Sequence, residues 1–91
     1  MCTYLTEKLR VAGAGKGASG WFQLTDASVY FDHPVHALPD HSVNIDFLNP
    51  AEGPSARVAV ELDPEGARAL AHAILATLDA ATEGLLAPPA S

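Results

Sequence analysis

The sequence predicts an α+β fold: a small antiparallel sheet of about four to five strands packed on one C-terminal amphipathic helix. Two observations carry this reading. Apolar and polar residues alternate through most of the first 62 positions, the period of a strand with one face in a core. From position 63 the apolar residues recur at helical spacing instead. A chain of 91 residues suits one domain, assigned to residues 1–84, with a flexible tail at 85–91.

Residues 4–12 read as the first strand, with Leu5, Leu9 and Val11 on one side and Tyr4, Thr6, Lys8 and Arg10 on the other. Glu7 interrupts the apolar side, which places this strand near an edge. Residues 13–20 (GAGKGASG) are glycine-rich and read as a flexible turn. They are not a phosphate loop, because Gly17 follows Lys16 where that motif needs Ser or Thr, and a strand follows where it needs a helix.

Residues 21–25 and 27–33 read as two extended segments or one bent strand. Residues 41–48 alternate cleanly, with Val43, Ile45 and Phe47 on the apolar side. Asn49-Pro50 and Gly53-Pro54 mark a loop before the last strand, 55–62, where Ala56, Val58, Val60 and Leu62 face one way. Asp63 is placed to cap the helix, Pro64 to occupy its first position and Glu65 to complement its dipole. The stripe Ala67, Leu70, Ala71, Ile74, Leu78 and Ala81 follows, with Gly84 as terminator. One helix covers one sheet face. The other face carries Tyr4, Lys8, Arg10, Tyr30, Asp46, Leu48 and Arg57 and is open to water or to a second copy, so a homodimer is expected.

Candidate chemistry concentrates between the second and third extended regions. Three of the four histidines, His33, His36 and His41, fall within nine residues. By parity His33 continues the side of Ala27, Val29 and Phe31, while His41 begins the side of Val43, Ile45 and Phe47. One hairpin register opposes His33 to His41, Phe31 to Val43, Val29 to Ile45 and Ala27 to Phe47. Opposed Cβ atoms stand ~4.5–5.5 Å apart, so two imidazoles share a metal readily there, with His36 folding in from the loop. Neutral imidazole suits zinc first, then copper, nickel or ferrous iron. The competing reading is an ordinary polar hairpin end, with Asp32 and Asp40 as partners. His72 lies off the helix stripe and reads as exposed.

Cys2 is the lone cysteine. Removal of Met1 would leave it as an N-terminal residue with amine and thiol together. It is open to three roles: nucleophile, metal thiolate or small apolar residue. A single unpaired thiol suits the cytoplasm. The opening residues carry no signal-peptide pattern, and no stretch reaches the ~18 apolar residues of a membrane span. The net charge is −6 with five scattered basic residues, which disfavours nucleic acid and anionic membranes as partners.

The opening MCTYLTEK, the GW after the glycine run, YFDHPVHA, NIDFLNP and RVAVEL together resemble a family of short, uncharacterised actinobacterial proteins, over about residues 1–85. The resemblance implies a bacterial cytoplasmic protein and assigns no activity or site residue. Two functions stay open: a small metal-binding protein, whether enzyme or accessory factor, held at His33, His36, His41 and Cys2; or a homo-oligomeric structural or interaction module. Any small-molecule ligand is undetermined.

Overall fold

Every strand pairs with its neighbour in sequence. The computed structural model describes residues 5–32 and 41–81. Strands β1 (Leu5–Gly17), β2 (Gly20–Asp32), β3 (Ser42–Leu48) and β4 (Arg57–Leu62) form one antiparallel sheet in the order β1-β2-β3-β4, and helix α1 (Pro64–Ala80) follows. A short 3-10 turn, Pro50–Glu52, lies in the β3–β4 connection.

Alternation sets the faces. The rows Leu9–Ala27–Phe47–Val58, Glu7–Val29–Ile45–Val60 and Phe31–Val43–Leu62 share one face. Lys8–Ser28–Asp46–Ala59, Arg10–Asp26–Leu48–Arg57 and Tyr30–Asn44–Glu61 share the other. Glu7 sits among valines and isoleucine, and β1 is indeed an edge strand, so its carboxylate stays in water.

The glycine run departs from expectation. Residues 13–17 continue β1, pairing Gly13 with Leu24, Gly15 with Phe22 and Gly17 with Gly20, and only Ala18 and Ser19 form the turn. Gly20 closes it at φ 111°, a conformation glycine adopts without cost. The glycines make room for neighbours. A Cβ on Gly15 would stand 3.2 Å from Leu24 and 3.4 Å from Val58; one on Gly17 would stand 3.1 Å from the Phe22 ring and 3.5 Å from the Arg57 carbonyl oxygen. The edges β1 and β4 thus approach each other at this end and the sheet curls. The pairing slips by one residue between Arg10 and Gly13, as a β-bulge does where a strand bends.

Helix α1 starts as its sequence dictates: the Asp63 carboxylate accepts from the Gly66 N–H at 3.0 Å, and Pro64 fills the first position. It ends sooner than the Gly84 signal implies. Ala81 is already extended, at φ −71° and ψ 144°. Asp79 sits against the negative end of the helix dipole and no basic residue offsets it in the last turn.

The helix touches the sheet chiefly at β3. Gly66, Ala67 and the cap Ala81 are half-buried; every residue from Arg68 to Ala80 is exposed. On the stripe, Leu70 is 45%, Ile74 52% and Leu78 47% exposed. Among the described residues the buried apolar side chains are Ala27 and Ala56, and the larger members of the apolar sheet face are half-buried or, like Leu9, exposed.

Candidate functional site

At the hairpin, β2 and β3 pair in the register read from the sequence: Phe31 with Val43, Val29 with Ile45, Ala27 with Phe47, and Asp32 with Ser42. His41 is half-buried just before β3, its ring stacked on Phe31 with centroids 5.5 Å apart and planes 2° from parallel. His33, His36 and Cys2, the other residues of the predicted metal set, lie outside the described residues, as does Asp40. Among the described residues no group of three His, Cys, Asp or Glu side chains gathers to hold a metal. His72 is exposed on α1, as its place off the stripe implied.

The polar face holds a connected network. Arg57 Nη2 donates to Asp46 Oδ1 at 2.8 Å, and the Tyr30 hydroxyl donates to Asp46 Oδ2 at 3.3 Å. The Asp46 side chain is 15% exposed and that of Arg57 49%. Burial, then the Asp46 carboxylate, pushes the Tyr30 phenol above its ordinary value; Asn44 and Arg57 pull it back. This phenol is a protonated donor near neutral pH, unsuited to act as a base. One pair further along, the fully buried Ser42 hydroxyl donates to Asn44 Oδ1 at 2.5 Å and lies 3.5 Å from the Asp32 carbonyl oxygen. Among the described residues no buried side-chain nitrogen or oxygen lacks a partner. Such a satisfied network orders the sheet and fixes its register.

At the opposite end, buried Asn49 ties three segments together. Its amide donates to the Gln23 carbonyl at 2.9 Å and to Glu52 at 3.0 Å, while its oxygen accepts from the Ala51 N–H at 3.2 Å. Sequence reading placed Tyr30, Asp46 and Arg57 on one face but missed Ser42, Asn44 and Asn49. The available signal was polar residues at alternate positions of β3, facing Tyr30 and Asp32 across the hairpin. Beside Asn49 lies a shallow groove of about 410 Å³, lined by Leu48, Pro50, Gly53, Pro54, Ala56 and Arg57. Few polar groups converge on it, so it offers little to orient a substrate.

The third candidate is a surface. The apolar sheet face and the helix stripe present contiguous rows of Val, Ile, Leu and Phe that the single chain leaves incompletely covered. Exposed apolar rows of this kind mark interaction sites. Trp21, 72% exposed beside the tight turn, adds an aromatic side chain of the type that anchors interfaces.

Fold and surfaces together define a small antiparallel α+β protein with a half-buried apolar sheet face and an exposed helix stripe. The chain belongs to the family of unknown function DUF6295, which it matches over residues 1–87. This is an uncharacterised family, as the resemblance implied. No curated protein and no solved structure matches the chain. No helix among the described residues is long and apolar enough to cross a membrane.

Proposed function

We propose that this protein is a homo-oligomeric interaction module that completes its hydrophobic core by self-association. The observation that carries the reading is the helix stripe: Leu70, Ile74 and Leu78 stay 45–52% exposed beside a sheet whose apolar face is only half-buried. Burying one such side chain contributes roughly 1.5–3 kcal/mol, and folded domains do not leave a row of them in water without a partner. A homodimer is the simplest closed assembly. The lone cysteine fits a cytoplasmic setting, and the acidic charge disfavours nucleic acid and anionic membrane surfaces as partners.

Linkage between folding and association supplies the test. The unfolding midpoint should rise as protein concentration is raised from low to high micromolar, because mass action favours the associated native state. Ile74→Glu should abolish that dependence. A midpoint independent of concentration in the unmodified chain would remove the reading.

A second reading has one observation in its favour, the β2–β3 register. If it continued by one pair beyond Asp32 and Ser42, it would set position 33 opposite position 41. On this reading His33, His36 and His41, with Cys2 or water completing the set, hold zinc or another divalent transition metal. Added zinc should then raise the melting temperature at about pH 7.5 and lose that effect near about pH 5.5, where imidazole protonates. His41→Ala should remove the rise and His72→Ala should keep it. An unchanged melting temperature with zinc, nickel and copper would retire the metal reading and leave self-association untouched.

A further inference from the structure

The helix stripe stays exposed and the sheet face that suits it is only half-buried, and the junction between them explains why. β4 ends at Leu62 and α1 begins at Pro64, so Asp63 alone joins them. Strand-to-helix connections generally use ~2–6 residues. Asp63 is also committed twice: its carboxylate caps the helix, and its backbone is extended at φ −65° and ψ 154°, the region that a following proline enforces. The helix therefore leaves β4 on a fixed course and projects from the sheet beyond Ala67. A short, stiff hinge between a docking element and its own docking face is the arrangement that favours exchange between copies.

We infer that α1 lays its Leu70–Ile74–Leu78 stripe on the apolar sheet face of a second copy, which returns its own helix in the same way. The inference rests on the self-association proposed above and specifies its geometry. The two surfaces match in kind: Leu70, Ile74 and Leu78 are 45–52% exposed, and the Val, Ile and Phe side chains of the sheet face are half-buried. Exchange covers both surfaces at once, since every copy supplies one helix and one sheet face. Helix-to-helix pairing would cover the stripes and leave Val29, Phe31, Ile45 and Val60 only half-buried.

Lengthening the hinge tests the inference directly. A flexible Gly/Ser linker of about six residues, inserted between Leu62 and Asp63, lets the helix turn back onto its own sheet. The expected result is a halved molecular mass in light scattering with cooperative unfolding retained; an inserted chain that keeps the wild-type mass overturns exchange. A second arm guards against a variant that fails to fold. Two chains carrying Cys2→Ser, one with Ile74→Cys and the other with Ile45→Cys, are refolded together and treated with a short bis-maleimide. Cross-links between the two kinds of chain support exchange. Cross-links only between two Ile74→Cys chains, or none, overturn it. In either overturning case a dimeric wild-type mass leaves self-association standing, whereas a monomeric wild type removes both.

Discussion

Asn49 shows how much structure one side chain can secure. It is 6% exposed, and its three side-chain hydrogen bonds join β2 to the 3-10 turn between β3 and β4. Asn49→Ala would leave the Gln23 carbonyl and the Ala51 N–H without these part-buried hydrogen bonds, at a cost of about 2 kcal/mol. A melting temperature lower by roughly 10 °C is expected for a chain of this size, whereas a shift under a degree would contradict the assigned role. Tyr30 makes a different, pH-dependent contribution. Its folded-state pKa lies above the ordinary 10.0, through burial and then the Asp46 charge. The unfolded chain therefore loses this proton first as pH rises. The contribution is complete below about pH 10 and disappears as pH climbs through the folded value. In a Tyr4→Phe background, tyrosinate absorbance should report Tyr30 ionising above its ordinary value. Asp46→Asn should lower that value only partly, since burial remains. Ionisation at or below 10.0 in the folded chain would remove the assigned environment.

Among the elements, strand β1 separates what sequence shows from what it hides. The β2–β3 register was legible because one apolar side must meet another, and a one-residue slip would move Asp46 onto the apolar face and Ile45 onto the polar one. The start of α1 was legible too, since Asp63, Pro64 and Glu65 each act within one turn. The glycine run was not. Glycine lacks the side-chain alternation that reveals a strand, and its reason for being there, the approach of Leu24, Phe22 and β4, is a tertiary fact. The structure separates two of these glycines sharply. Gly13 has open space where a Cβ would stand, and its φ is not positive, so Gly13→Ala should stabilise the chain by about 0.5 kcal/mol. Gly15→Ala should cost about 1 kcal/mol, because Leu24 and Val58 must give way. Urea denaturation of both variants checks this, and equal effects would argue against the curled approach of β1 to β4. Of the candidate metal set, His41 alone is placed by the structure; its stacking on Phe31 follows from the same parity that brought the histidines to notice.

At the scale of the whole molecule, composition and periodicity named both halves of a core without revealing how they meet. The helix stripe and the apolar sheet face were each legible. The expectation that a helix lies on its own sheet rested on their being neighbours in sequence, and the single-residue hinge at Asp63 works against that closure. The polar network of Tyr30, Asn44, Asp46 and Arg57 meanwhile occupies the opposite face with its hydrogen bonds satisfied, which leaves the apolar face as the surface available for association. The most direct measurement is the mass of the unmodified chain in solution, by multi-angle light scattering or sedimentation equilibrium at high micromolar concentration. Self-association predicts a multiple of 9.5 kDa, with about 19 kDa for the reciprocal dimer. A cooperatively folded species of 9.5 kDa throughout that range would contradict it.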